Sequence, residues 1–380
     1  MNYNFTEEEI MVRDTAREIA REKILPVRQE YDEEGIFPED IVKIMAEGDL
    51  FRVFIPQEYD GLGLSMTAML LAVEELSYAC AGIALSYAGT SLGTVPIVMF
   101  GSEEQKRKYR PLVAGGGLAA FALTEAEAGS DAGGVKTRAV KDGDSYILNG
   151  TKQFITNGGV ADFYVIIAIT DPTRGTRGAT AFIVDKGTPG LEFGKKENKM
   201  GIRASATREL VLRNLRVPAS QILGREGNGF LMTMKVFDKT RLGVAAQSLG
   251  IAQAALDAAI LYAKEREQFG KPIATFQGLQ FMMADMAMKI EAGRALTYAA
   301  AKDIDLGGGD PKITAMAKAF TSDTAMAVTV DALQIMGGYG YMKEYPLEKM
   351  MRDAKITQIY EGTNQVMRSI IASHLIKETK

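Results

Sequence analysis

The chain has 380 residues, 47% of them hydrophobic and 24% charged, with a formal net charge of −4. That length supports two or three subdomains with cores of their own, and the mild acidity leaves no broad basic field for a nucleic-acid backbone. A single cysteine, Cys80, and a single histidine, His374, exclude an internal disulfide and give little support to cysteine or histidine metal sites or to Ser-His-Asp hydrolysis.

The first ten residues are polar and acidic, unlike a secretory or transit leader. Thr6 followed by Glu7, Glu8 and Glu9 starts a helix. Ile10, Val12, Ala16, Ile19, Ala20 and Ile24 form its apolar stripe, ended by Pro26. Further helices are expected over 38–50, 66–78 and 102–113. Cys80 reads as a small buried side chain. No apolar run approaching the ~20 residues of a bilayer span is read, so no membrane crossing is expected and a cytoplasmic setting is the default.

Near residue 118 the pattern changes to short strands. They are expected over 164–169, 181–184 and a stretch holding Val211, Leu212, Leu215 and Val217, with Asn149-Gly150 and Asn157-Gly158 as turns between strands. Helical periodicity returns after about 230, over 242–267, 276–306, 311–336 and 345–360, with Gly307, Gly308 and Gly309 as a break. Long apolar helices of this kind usually build a four-helix bundle. The expected fold is α+β and multidomain: an N-terminal helical domain over 1–117, a middle antiparallel β domain over 118–230 and a C-terminal four-helix bundle over 231–380. His374, beside Ile370, Ile371, Leu375 and Ile376, reads as a helix-surface or packing residue. Acid–base chemistry therefore falls to carboxylates or to a cofactor.

Three segments carry candidate chemistry. In Phe121-Ala-Leu-Thr-Glu-Ala-Glu-Ala-Gly-Ser-Asp131, Thr124 and Ser130 offer hydroxyls, and Gly129 lets backbone N–H groups approach a ligand. A small-residue turn between helix and strand explains that segment equally well. In Gln334-Ile-Met-Gly-Gly-Tyr-Gly-Tyr341, Gly337 and Gly338 sit at a helix end, either as ligand-binding backbone or as a plain glycine cap. No G-x-G-x-x-G follows a strand, so a nicotinamide-binding fold is not indicated. In Ile359-Tyr-Glu-Gly-Thr-Asn-Gln365, Glu361 lies between two expected helices. Beside Tyr360 and in apolar company, its proton affinity would rise by desolvation, which suits a general base. A solvated loop glutamate is the plain alternative.

Together, the order and spacing of these segments resemble the acyl-CoA dehydrogenase family. Leu123-Thr124-Glu125 and Ala128-Gly129-Ser130-Asp131 match its first signature. Gln334, Gly337, Gly338, Gly340, Tyr341, Glu344, Lys349 and Asp353 match the second, and the match runs on to Gln365. Arg266-Glu-Gln-Phe-Gly-Lys-Pro272, which holds Gln268 and Phe269, and Gln277 form a further family segment. The resemblance covers essentially the whole chain. It implies FAD as cofactor, acyl-CoA as substrate, an electron-transfer flavoprotein as redox partner, and a homotetramer with FAD at subunit interfaces. It implies that Phe121, Leu123, Thr124, Gly129 and Ser130 line the flavin and the thioester end of the substrate. Phe154, Ile155 and Thr156 would hold the isoalloxazine; many relatives have tryptophan where this chain has Phe154. Arg266, Gln268, Phe269, Gln277, Gln334, Gly337, Gly338, Thr363 and Gln365 would contact the diphosphate and adenosine, partly from a neighbouring subunit. Phe237, Asp238, Arg241, Tyr360 and Gly362, with Ser130, would contact the acyl-CoA.

The resemblance implies α,β-dehydrogenation. Glu361 takes the pro-R α-proton while the β-hydrogen leaves as hydride to flavin N5, and the Glu361 N–H helps hold the thioester oxygen. Some relatives place the glutamate on the helix near 240, where this chain has Thr240; Asp238 is a nearby rival. Residues 80–95, expected near the acyl pocket, include no Lys or Arg. That points to an uncharged short- to medium-chain or cyclic acyl group rather than glutaryl. Enoyl-CoA reduction, an acyl-CoA oxidase and a non-enzymatic acyl-CoA-binding protein are the alternative readings.

Overall fold

The computed structural model describes residues 3–379. Helix α1 (Glu7–Ile19) begins as its sequence dictates. The Thr6 hydroxyl accepts from Glu9 N, and the Glu9 carboxylate accepts from Thr6 N. This reciprocal cap satisfies two N–H groups that a helix start leaves without partners. The helix then widens into a π-turn over Ala20–Ile24. Of the expected stripe, Ile10 is exposed, and Val12, Ala16, Ile19, Ala20 and Ile24 are buried. The short helices α2 (Arg28–Glu33) and α3 (Glu39–Glu47) follow.

The central element of the helical layer is α4 (Met66–Phe100), much longer than the sequence suggests. Most of its residues are buried, so it has no continuous polar face and no amphipathic period to read. Residues 76–100 carry no charged side chain, which corrects the expectation that no long apolar run exists. By length and composition, α4 and α6 (Gly229–Glu265) could each cross a membrane, but in this fold most of each is buried among other elements. Cys80 is buried, as expected, at a break in α4 where the backbone leaves helical geometry. Helix α5 (Glu103–Ala114) closes this layer.

The middle of the chain forms eight strands: β1 (Ala119–Ala122), β2 (Arg138–Asp142), β3 (Ser145–Thr156), β4 (Phe163–Ile169), β5 (Ala179–Asp185), β6 (Leu191–Lys196), β7 (Thr207–Pro218) and β8 (Ile222–Leu223). They lie in the order β6-β7-β3-β2-β4-β5-β8, with β1 beside β4. The sheet is mixed rather than antiparallel, because β1 and β2 both run parallel to β4. Every residue of β4 is buried, which explains its unbroken apolar sequence. Asn149-Gly150 is not a turn. It sits within β3 at a register shift against β7, and Gly150, at φ 153, passes so close to Thr137 that a Cβ would fall 2.5 Å from its Oγ1. Asn157-Gly158 does turn the chain at the end of β3.

After α6 comes a two-stranded hairpin, β9 (Glu267–Gln268) and β10 (Lys271–Pro272). Helices α7 (Gln277–Asp305), α8 (Pro311–Met336), α9 (Leu347–Thr357) and α10 (Asn364–Glu378) complete the fold. Helix α8 packs against α6, α7, α9 and α10, and α6 packs on α4. The α4–α6 contact is close: a Cβ on Gly250 would fall 2.3 Å from the Glu74 carbonyl oxygen. Gly250→Ala should therefore destabilise the protein by about 1–3 kcal/mol, although alanine is the better helix former. Urea unfolding measures this, and an unchanged or higher stability would contradict the tight crossing.

Candidate active site

Glu361 lies in the turn between α9 and α10. It adopts φ 55 and is followed by Gly362 at φ 94. A left-handed glutamate is unusual and persists only where its surroundings hold it. Here almost every residue of the turn is tied down. Thr240 Oγ1 lies 3.1 Å from Glu361 Oε2, and the Arg241 guanidinium donates to the Glu361 carbonyl at 3.4 Å. Lys318 Nζ donates to the Gly362 carbonyl at 2.6 Å and to Asn364 Oδ1 at 3.0 Å. The Tyr360 hydroxyl meets Gln247, whose amide donates to the Ala81 carbonyl. Asn364 N closes the turn on the Gln358 carbonyl. Among the described residues, no acceptor meets the Glu361 N–H.

Burial is the main cause that pushes the Glu361 carboxyl up to about 7, against the pull of Arg241, the Thr240 hydrogen bond and Lys318. Thr240 Oγ1 also lies 3.2 Å from the Val236 carbonyl. One hydroxyl carries one proton. With Glu361 ionised, Thr240 donates to the carboxylate; with Glu361 protonated, the carboxyl can donate and Thr240 can turn to Val236. The site thus accommodates both states of an acid–base group. The rival Asp238 is engaged elsewhere, accepting from Arg241 at 2.8 Å.

The first sequence segment reaches α6 through Phe121, whose ring packs edge-on against Phe237 at 5.8 Å. Leu123 and Thr124 are fastened to β3: Gln153 N donates to the Thr124 carbonyl, and buried Lys152 donates to the Leu123 carbonyl and to Glu125. Glu125 in turn accepts from Lys136 N and Thr137 N, so one buried ion pair shapes the loop bearing Gly129 and Ser130, which are exposed. A bulge between Lys152 and Ile155 sets Phe154 at φ 58 and turns its ring outward, 61% exposed. Ile155 is buried and Thr156 lies beside it at the end of β3. An open aromatic face with hydroxyls and backbone groups nearby fits a flat polar heterocycle such as a flavin.

A second group is separate. A cleft of about 510 Å³ is lined by Arg266, Gln268, Gly337, Gly338 and Tyr339, among others, and Arg266 stacks over Tyr339 at 5.6 Å. Cβ atoms on Gly337 or Gly338 would meet nothing, so the backbone there is open to a ligand. Phe269, on the β9–β10 hairpin, is 93% exposed, and Gln277 and Gln334 are exposed too. Lys318, two turns into α8, and Gly337, its C-cap, stand about 28 Å apart at the helical rise. Thr363, the N-cap of α10, and Gln365 belong to the Glu361 turn rather than to this cleft.

Models of the acyl-CoA dehydrogenase N-terminal, middle and C-terminal domains match residues 6–117, 120–215 and 227–376. The chain belongs to the acyl-CoA dehydrogenase family. It is 48% identical to an acyl-CoA dehydrogenase of Bacillus subtilis, covering 98% of this chain and 99% of that one. It is 47% identical to an acryloyl-CoA reductase (NADH) of Anaerotignum propionicum, covering 99% and 96%. The solved structure of butyryl-CoA dehydrogenase from Megasphaera elsdenii superposes with a TM-score of 0.97 at 46% identity, covering 99% and 100%. Acyl-CoA dehydrogenases are FAD-dependent oxidoreductases acting on CH–CH groups, and this protein is one.

Two contacts of this acyl-CoA dehydrogenase escape sequence reasoning. Thr240 is visible as a helix residue but not as the partner of a carboxyl 121 positions away. Lys318 interrupts the small-residue face formed by Ala315, Ala319, Ser322 and Ala325, and a lysine on such a stripe is the one signal that could have exposed it.

The folded protein holds the Glu361 proton more tightly than the unfolded chain does. Its stability contribution therefore falls as pH rises from about 4.5 to about 7. Glu361→Gln, which cannot ionise, removes this fall. It should be more stable than the wild type at pH 8 by on the order of 1–3 kcal/mol, with little difference at pH 4.5. Parallel stability–pH curves from urea unfolding would contradict the burial of this carboxyl.

Proposed function

We propose that the protein dehydrogenates an uncharged, short acyl-CoA between its α- and β-carbons, with Glu361 as the base that takes the α-proton. The half-buried Glu361 carboxyl carries this reading: a base whose proton affinity desolvation raises to about 7 is matched to proton abstraction at neutral pH. The partnerless Glu361 N–H can donate to the thioester oxygen, where charge builds as the proton leaves. Thr240 keeps the carboxyl in hydrogen-bond contact through both protonation states. Phe121, Leu123, Thr124, Gly129, Ser130, Phe154, Ile155 and Thr156 are the residues that would hold the flavin. FAD, when bound, supplies the acceptor for the β-hydride.

The polar layer of Gln247, Tyr360 and the Ala81 carbonyl supports a short acyl group. Gln247 lies two helical turns beyond Thr240, about 10 Å along the same face of α6, and in this reading it is the wall that ends the acyl site beyond the base. Phe237, Asp238, Arg241 and Gly362 would border the thioester and CoA. The separate Arg266–Gly338 cleft and the exposed Phe269 favour a homotetramer in which Arg266, Gln268, Phe269, Gln277, Gln334, Gly337 and Gly338 contact the diphosphate and adenosine across a subunit boundary, with Thr363 and Gln365 of the base turn adding to the same cofactor. An electron-transfer flavoprotein is the matching redox partner. Reduction of an enoyl-CoA is the second reading, favoured by the likeness to the Anaerotignum propionicum acryloyl-CoA reductase (NADH).

Anaerobic mixing of the FAD-loaded protein with saturated straight-chain and cyclic acyl-CoAs tests the proposal through the flavin absorbance. Short uncharged thioesters should bleach it, and Glu361→Gln should slow bleaching by at least ~10²-fold; full-rate bleaching in that variant would sink the base assignment. Bleaching by no saturated thioester, with enoyl-CoAs reoxidising the reduced enzyme, selects the second reading. Gln247→Ala should shift the preference toward longer chains, and an unchanged chain-length profile would contradict the wall.

A further inference from the structure

Where α8 faces the base turn it is built of small residues, apart from Lys318 and Asp323. Lys318 is 0% exposed. Burying an ammonium is costly unless it is well paired, yet both of its hydrogen bonds go to neutral oxygens, on Gly362 and Asn364. A glutamine could make such bonds without carrying a charge into the interior. The charge therefore needs an account of its own.

The charged groups facing Lys318 are Glu361 from the turn, Arg241 from α6 and Asp323 from α8 itself. Asp323 is already paired with Arg368 of α10 and accepts from Gln358 and Asn364. Arg241 is paired with Asp238, which His374 also faces. Glu361 is the carboxylate left to balance Lys318. Burial raises the proton affinity of Glu361, and a base that stays protonated at working pH cannot accept a proton. A nearby cation limits that rise.

We infer that Lys318 is a positioning residue for the acid–base step: its buried ammonium clamps the Glu361 turn through the Gly362 carbonyl and keeps the Glu361 carboxylate ionised until it takes the α-proton. This rests on the proposed role of Glu361. Lys318 touches no reacting atom; it acts through the base.

The test uses full-length, FAD-loaded Lys318→Met, Lys318→Gln and Lys318→Arg, with the pH profile of anaerobic flavin bleaching as the readout. In the Met and Gln variants the acid limb should move up by about one pH unit, giving roughly a tenfold loss at pH 6 and little loss at pH 9. Arginine, which keeps the charge, should leave the limb near its wild-type position. Glutamine retains a donor for Gly362, so it carries the test if methionine prevents folding. An unmoved limb in Lys318→Gln, or a loss equal at every pH, overturns the inference.

Thermal unfolding without substrate gives an independent arm. Burial lowers the Lys318 proton affinity from 10.5 to about 8, so the wild type should gain stability as pH rises between those values. The uncharged variants should lack that gain, and a gain equal to that of the wild type overturns the buried charge. If this arm behaves as expected while no acyl-CoA or enoyl-CoA reacts with the wild type, the reading of Glu361 as a base fails and the buried Lys318 charge stands. If the wild type reacts and neither limb nor stability profile moves, Lys318 fails alone.

Discussion

A carboxyl group taken out of water holds its proton more tightly, because its ionised form loses hydration. At Glu361 that desolvation is set against Arg241, Thr240 and Lys318, and the balance lies near 7. Each of these partners stands on a long helix, Thr240 and Arg241 on α6 and Lys318 on α8, and those two helices pack on one another. The chemistry of the turn is thus set by a rigid helical crossing rather than by the turn itself, whose left-handed residues would not hold their shape alone.

The sheet contributes in a different way. The groups proposed to face the flavin lie where regular pairing fails: at the bulge that turns Phe154 outward and in the loop shaped by the Lys152–Glu125 pair. A bulge re-aims a side chain without unmaking the strand, and a buried ion pair with further hydrogen bonds fixes a loop that has little apolar surface of its own. Helix α4 joins the two layers. It passes β1 closely enough that a Cβ on Gly93 would fall 2.7 Å from Ala119 Cβ, and it crosses α6 at Gly250. The small residues that blur its sequence pattern are the ones that let the layers approach.

Much of this was legible in the sequence because it is local. The Thr6 cap, the apolar β4 and the helix from Pro311 to Met336 follow from neighbours in the chain. Glu361 stands out through its flanking residues. The full reach of α4, the parallel strands beside β4 and the bulge at Asn149-Gly150 were not legible, since each depends on what packs against the segment. The same holds for the site. The proposed base can be read from Ile359 to Gln365, whereas its hydrogen bond to Thr240 and the contact from Lys318 join residues 121 and 44 positions apart. No periodicity encodes such contacts; only the crossing of α6 and α8 creates them.

The most direct test of the account is a crystal structure of the FAD-loaded enzyme with an unreactive short acyl-CoA analogue, read for the distance from Glu361 to the α-carbon. The account predicts a Glu361 carboxylate oxygen about 3–3.5 Å from that carbon, with the thioester oxygen accepting from the Glu361 N–H. An α-carbon facing Asp238 or solvent, with Glu361 turned away, would contradict it.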